Sequence, residues 1–354
     1  MAIPEISQLR EQINLELAAF AKVRKAELLN IGSELNPVAD SMSEFITDGG
    51  KRFRPLFAYL GYLGAGASAR GEVLRATTSL ELVHVCALIH DDLMDGSDLR
   101  RNRPAIHKYF EKLHLDNKYQ GDKSRFGAAA AILLGDLALV WADRAFHESG
   151  ISEAEISRSF PLFTLMREEL MAGQYLDVLE GALATRDISR SLKVARYKSG
   201  KYSIERPLHF GAALANAPKE LFQIYSNYGL PLGEAFQLRD DILGVFGQEA
   251  VTGKPSGDDL REGKRTVLIA MTFEMASIAD KNILSEALGN SNLSAEQVLQ
   301  LQKIIESCGA LDRCETLITE LRDQATLALR KSSIDSKILP MLEEMATVAT
   351  ERIL

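Results

Sequence analysis

The stretch Leu80-Glu81-Leu82-Val83-His84-Val85-Cys86-Ala87-Leu88-Ile89-His90-Asp91-Asp92-Leu93-Met94-Asp95 decides how this chain folds. Its apolar residues recur at helical rather than alternating spacing, which predicts a helix. At about 100° per residue, His84 lies about 20° from Asp91, Asp95 about 40°, and Ala87 and Leu80 within about 40° on the other side. One stripe therefore runs from apolar residues, past a histidine, to two carboxylates, with Asp92 about 100° away as an outer acceptor. Carboxylates amid Leu, Ile and Ala are costly to bury unless a cation neutralises them. A second apolar helical stretch repeats the pattern, in Phe236-Gln237-Leu238-Arg239-Asp240-Asp241-Ile242-Leu243-Gly244. Gln237, Asp240 and Asp241 are spaced to meet one volume. Oxygen-only ligands of this kind suit Mg²⁺, which uses one or two carboxylates plus substrate phosphates. Two acidic helical faces with basic residues between them suggest a clamp for a diphosphate.

The 354 residues carry a formal charge of -8 and are 46% hydrophobic, enough for a large core. The acidic balance and the lack of a long basic run argue against a nucleic-acid partner. Cys86, Cys308 and Cys314 form no CxxC pair, which fits a reducing cytosol and no zinc site. The N-terminus lacks the basic and apolar regions of a secretory signal. The longest apolar stretch, Phe126 to Gly135, stops at Asp136, too short to span a bilayer, and reads as a buried core helix. A cytoplasmic protein with no transmembrane segment is expected. Helical spacing continues along the chain, with candidate helices over roughly 8–32, 36–48, 53–64, 71–96, 105–113, 125–148, 153–184, 189–215, 218–247, 263–278, 281–289, 294–308, 312–330 and 335–352. No Pro/Ser-rich linker divides them, so one all-α domain over residues 1–354 is expected.

Basic groups punctuate this frame. Gly49-Gly50-Lys51-Arg52-Phe53-Arg54-Pro55 precedes a helix and offers cations with free N–H groups to an anion. No GxxxxGK[ST] occurs, so this is not a P-loop. Arg100 and Arg101 follow the first acidic cluster as a fork suited to phosphate. Lys198-Ser199-Gly200-Lys201 lies within a helical region that glycine would loosen or kink. Lys254 and Lys264 flank a flexible loop, a plausible lid over phosphate. Gln174 and Asp177 lie one turn apart on a helix. Each group taken singly is as well explained by a solvated helix end or surface loop; their conjunction is not.

Taken in order, GGKRFRP (49–55), HVCALIHDDLMDGSDLRR (84–101), GQYLD (173–177), KSG (198–200), FQLRDD (236–241) and GKPSGDDLREGKRT (253–266) resemble the trans-isoprenyl diphosphate synthases, the polyprenyl synthetases. The resemblance covers a motif-bearing core of about residues 35–275, followed by C-terminal helices over about 281–354. It implies an isoprenoid-synthase-type helical bundle around a deep central cavity, a homodimer, and head-to-tail condensation of isopentenyl diphosphate onto an allylic diphosphate. By position, Asp91, Asp92 and Asp95 form the first motif, with Asp91 and Asp95 holding two Mg²⁺. Asp240, supported by Asp241, would hold a third. Arg100, Lys198, Lys254 and Lys264 would hold the allylic diphosphate. Lys51, Arg54, His84 and Arg101 would hold isopentenyl diphosphate, while Ser199 and Gln237 line the carbocation. His90 reads as a packed histidine without a catalytic role.

Three positions depart from the family pattern. Gly244 replaces the last aspartate of the second motif, Asn102 stands where glycine is usual, and Ser199 replaces threonine. None removes an essential group, and metal binding is expected to survive Gly244. In this family a bulky aromatic four or five residues before the first aspartate stops growth at C15. Here Ala87 and Cys86 are small, with Val83 and Leu80 further along the stripe, so a product of at least C20 is expected. That favours geranylgeranyl diphosphate, with C25 or longer as the alternative. A class I terpene cyclase would leave Lys51, Arg54 and His84 unexplained. A non-catalytic synthase subunit would usually lose acidic or basic ligands, and Gly244 alone hints at that.

Overall fold

Helix stop signals account for most of the architecture. The computed structural model describes residues 5–248, 255–330, 332 and 334–351. These residues form two compact units, 1–160 with 210–216, and 161–209 with 217–354. Helices make up nearly all of both. The only strands among the described residues are a two-residue hairpin, Leu99–Arg100 (β1) against Arg103–Pro104 (β2). The all-α expectation holds.

In the first unit, α1 (Ile6–Ile31) buries Leu9, Ile13, Leu17 and Ala21, a stripe at every fourth residue. It packs on α2 (Asn36–Thr47). The next helix, α3 (Phe53–Gly64), is buried along its whole length. It packs on α4 (Gly71–Asp95), which carries the first acidic cluster at its C-terminal end. Then come α5 (Ile106–Asp116) and α6 (Lys123–His147). Glycine allows two close approaches here. A Cβ on Gly127 would lie 2.3 Å from the His107 carbonyl of α5, and one on Gly135 would lie 2.0 Å from the His90 ring of α4. His90 is thus a packed residue, its Nε2 also 3.2 Å from the Ile132 carbonyl.

Both α4 and α6 are long and apolar enough to cross a membrane by length and composition. The most apolar window of α4 is 72% buried, but that of α6 only 39%, so α6 is not the wholly buried core helix expected from residues 126–135. Phe126, Ile132, Leu133 and Val140 are exposed on it.

From the first unit, α7 (Glu153–Leu183) continues past Pro161 into the second. In that unit α8 (Ile188–Val194) runs into an eleven-residue π-helical segment, Ala195–Glu205; α9 (Arg206–Leu214) follows, its residues from Phe210 on belonging to the first unit. The loosening expected at Gly200 takes the form of this wider winding, which is rare and frequent at functional sites. Helix α10 (Lys219–Phe246) carries the second acidic cluster. Its fully buried Leu238, Ile242 and Val245 anchor a core shared with α11 (Asp258–Glu262), α12 (Val267–Met275), α14 (Ala295–Ser307) and α15 (Ala310–Arg330). Each such side chain contributes roughly 1.5–3 kcal/mol. The remaining helices are α13 (Ile278–Ala287) and α16 (Leu339–Thr350).

Candidate active site

The first unit gathers cations about a neutral histidine. Gly49 and Gly50 take φ of 67° and 118°, and Arg52 is itself left-handed at 52°. That backbone turns the chain sharply before α3 and aims successive side chains apart. Arg52 points inward, where it is buried and donates to Glu81 Oε1 at 2.7 Å, to Asn14 Oδ1 at 2.9 Å and to the Ile46 carbonyl at 2.9 Å. This buried pair ties the basic loop to α4; loss of one partner of such a pair costs about 3–5 kcal/mol. Lys51 remains exposed, its Nζ 5.7 Å from the Phe53 ring centroid. Arg54 is buried in the first turn of α3.

The hairpin brings two more cations to this region. Arg101 and Asn102 have φ of 52° and 62°, the pattern of a type I′ turn with positive φ at both central residues. Asparagine tolerates that conformation almost as well as glycine, which explains the Asn102 departure. Arg101 donates to the Asp48 carbonyl at 2.9 Å. Burial first, then the charges of Arg54, Arg101, Arg100 and Arg52, hold His84 well below its usual pKa. A neutral imidazole among four guanidinium groups can donate a hydrogen bond to an anion while the arginines supply charge.

Arg100 connects this group to the acidic cluster. Its Nε lies 3.0 Å from both Asp92 oxygens, and its Nη2 also bonds Asp92 and lies 4.0 Å from Asp91 Oδ2. Asp92 is buried beneath the arginine, in agreement with its place off the stripe. Asp91 and Asp95 are only partly buried, one turn apart on α4. Further back on the same helix Ala87 is half-buried, whereas Val83 and Leu80 are buried. Cys86 turns aside, its Sγ 3.7 Å from His90 Nδ1 and its thiol pushed by burial up to about 12.

The second unit builds a separate acidic group with its own lysines. Gly173 lets α7 touch the π-helical segment: a Cβ there would sit 2.3 Å from the Lys198 nitrogen. Lys198 Nζ in turn reaches Asp177 Oδ2 at 2.6 Å. Gly200 and Gly233 bring the segment against α10 backbone to backbone, since a Cβ on Gly233 would lie 2.5 Å from the Gly200 Cα. Ser199 is buried at this contact. Gln237 Nε2 donates to Asp241 Oδ1 at 2.7 Å, one turn along α10 as the spacing required. Burial raises Asp241 well above the usual carboxylate range; the Gln237 hydrogen bond opposes this, while Asp259, Asp240 and Asp177 add to it. Lys264 Nζ lies 2.8 Å from Glu262 Oε2 and 3.6 Å from Asp259 Oδ1. Lys254 lies outside the described residues.

These donors fit Mg²⁺. Among the described residues no three His, Cys, Asp or Glu side chains already form a metal group. That is compatible with Mg²⁺, which takes one or two carboxylates and completes its shell with water and substrate phosphate. Asp91, Asp95, Asp240 and Asp241 offer oxygen donors only, the chemistry that a hard cation takes. Sequence reasoning left Arg52 and Asp259 unassigned although both stand inside quoted motifs. Packing brings Arg52 to Glu81 and Asp259 over Gly244.

A sequence model of the family described as polyprenyl synthetase matches residues 36–305. The chain is 29% identical over 320 residues to the geranylgeranyl diphosphate synthase of Sulfolobus acidocaldarius, covering 89% of this chain and 91% of that protein. It is 30% identical over 313 residues to the geranylfarnesyl diphosphate synthase of Aeropyrum pernix, covering 87% and 92%. The crystal structure of a geranylgeranyl pyrophosphate synthase from Corynebacterium glutamicum, complexed with isoprenyl diphosphate and magnesium, matches with a TM-score of 0.95 at 36% identity, covering 99% of this chain and 100% of that one. The chain belongs to the polyprenyl synthetase family and is a prenyltransferase of the trans-isoprenyl diphosphate synthase type.

Proposed function

We propose that the chain condenses isopentenyl diphosphate with dimethylallyl, geranyl or farnesyl diphosphate to make geranylgeranyl diphosphate, as one polyprenyl synthetase domain in a cytoplasmic homodimer. The observation that carries this reading is the basic group of the first unit, where the charges of Arg54, Arg101, Arg100 and Arg52 all act on His84 and Arg100 also reaches Asp92 and Asp91. A terpene cyclase has no use for that second anion site, and a non-catalytic subunit has no reason to keep it beside intact acidic residues. The dimer reading rests on the exposed apolar stripe of α6, where Phe126, Leu133 and Val140 recur every seventh residue.

In this reading Asp91, Asp95 and Asp240 hold three Mg²⁺ per site, with Asp241 in support. Bound Mg²⁺ supplies positive charge to the departing diphosphate. Arg100, Lys198, Lys264 and Lys254 take up the rest of that charge, and they stabilise it more as the allylic C–O bond breaks. Asp177 and Glu262 hold Lys198 and Lys264 in place beforehand. Lys51, Arg54, His84 and Arg101 orient isopentenyl diphosphate so that its double bond attacks the cation. Ser199 and Gln237 offer dipoles that stabilise positive charge without capturing it. The proton then leaves to the diphosphate, so no side-chain general base is needed.

The division of labour is testable. His84→Ala and Lys51→Ala should chiefly raise the apparent KM for isopentenyl diphosphate, and Lys264→Ala that for the allylic partner. Each lost charged hydrogen bond costs about 1.5–3 kcal/mol, roughly ten- to a hundredfold in KM. Initial rates with one substrate varied at a time give the answer. Equal effects on both substrates in all three variants would contradict two separate diphosphate sites.

A further inference from the structure

Arg52 lies between Lys51 and Arg54 in the basic loop, yet its guanidinium is turned into the protein. The residue is 3% exposed, and each of its three side-chain nitrogens donates to a different helix. Nε reaches Asn14 Oδ1 on α1 at 2.9 Å, Nη1 reaches Glu81 Oε1 on α4 at 2.7 Å, and Nη2 reaches the Ile46 carbonyl of α2 at 2.9 Å. Three helices thus converge on the residue that caps α3, the helix whose first turn holds Arg54. The Arg52 backbone is left-handed, which a residue with a side chain keeps only when its surroundings impose it. A guanidinium so enclosed is not placed to meet a diphosphate. It is placed to fix what does. A Cβ on Gly50 would lie 3.8 Å from Arg52 Nη1 and 3.4 Å from Arg101 Nη2, so Arg52 also adjoins the hairpin cation. Glu81 stands one turn before His84, so α4 gives one residue to Arg52 and the next on that face to the anion. Asn14 is the outlying member: it is only partly buried, and α1 precedes every motif in the chain.

We propose that Asn14 is a positioning residue for isopentenyl diphosphate, acting through Arg52: α1 holds the guanidinium, and the guanidinium sets the directions in which Lys51 and Arg54 leave the loop. Neither Asn14 nor Arg52 touches substrate. This inference rests on the reading of Lys51, Arg54, His84 and Arg101 as the isopentenyl diphosphate site. The plainer role, a tether that merely stabilises the first unit, predicts a lower melting temperature with no preference between the two substrates.

The test is a set of initial rates on the full chain, varying isopentenyl diphosphate and farnesyl diphosphate in turn, with a melting curve for each variant. Asn14→Ala removes one acceptor and should raise the KM for isopentenyl diphosphate about three- to tenfold, the scale of one hydrogen bond to a charged group. The KM for farnesyl diphosphate and kcat should stay within about twofold. Asn14→Asp keeps an acceptor at the same place and should restore the lower KM. Arg52→Lys keeps the charge but loses the fork, so its effect on the same KM should exceed that of Asn14→Ala. Should Arg52→Lys fail to fold, the two substitutions at Asn14 still decide the matter. An unchanged KM in Asn14→Ala, an equal rise for both substrates, or no recovery in Asn14→Asp overturns the proposal. Arg54→Ala separates the two levels. If it leaves the KM for isopentenyl diphosphate unaltered, the reading of that site fails. If it raises that KM while Asn14→Ala does not, only the role of Asn14 fails.

Discussion

Asp91→Ala or Asp95→Ala lowers condensation by about 10³-fold or more while leaving the fold intact. A metal-assisted departure of diphosphate draws several kcal/mol from charge placed at the leaving group, and each 1.36 kcal/mol is about tenfold in rate. Both residues sit at the C-terminal end of α4 and are only partly buried, so truncation opens no large cavity. Loss of one carboxylate also relieves repulsion within the cluster, so the thermal transition of the cation-free protein stays level or rises. Steady-state turnover at saturating Mg²⁺, paired with a melting curve, checks both halves. Near-normal turnover in either variant would remove these residues from the metal site.

Ala87→Phe shortens the product to farnesyl diphosphate. If the growing chain runs from Asp91 back along its own helix, residue 87 lies one turn away on the stripe and is the first side chain to meet it. Ala87 is half-buried and small, whereas Val83 and Leu80 behind it are buried and of medium size, consistent with a floor near C20. Cys86 is turned toward His90, so its substitution should matter less. Val83→Ala or Leu80→Ala removes the floor and lengthens the product toward C25. Chromatography of the dephosphorylated products reads the distribution directly. An unchanged distribution in a folded Ala87→Phe enzyme would show that the chain does not follow this stripe.

The helices were legible because apolar residues recur at helical spacing and because glycine, proline and cap residues mark their ends. Three details were not. Periodicity cannot separate π from α winding, so residues 189–215 read as one helix with a weak point at Gly200. The hairpin is too short for alternation to show; only positive φ at Arg101 and Asn102 creates it. The exposure of α6 was hidden because an apolar run looks the same whether it faces a core or an open surface. Within the site, residues of one helix could be related by angle, and Gln237 with Asp241 met as expected. Contacts across elements followed no spacing rule. Arg52 with Glu81, Lys198 with Asp177 and Asp259 over Gly244 are products of packing.

The central claim is chain elongation by a complete active site, and one incubation addresses it. The protein is mixed with Mg²⁺, isopentenyl diphosphate and farnesyl diphosphate, and the products are identified by chromatography and mass. Geranylgeranyl diphosphate, formed only when Mg²⁺ and both substrates are present, is the predicted result. A cyclised hydrocarbon made from farnesyl diphosphate alone, or no product at all from the folded protein, would contradict it.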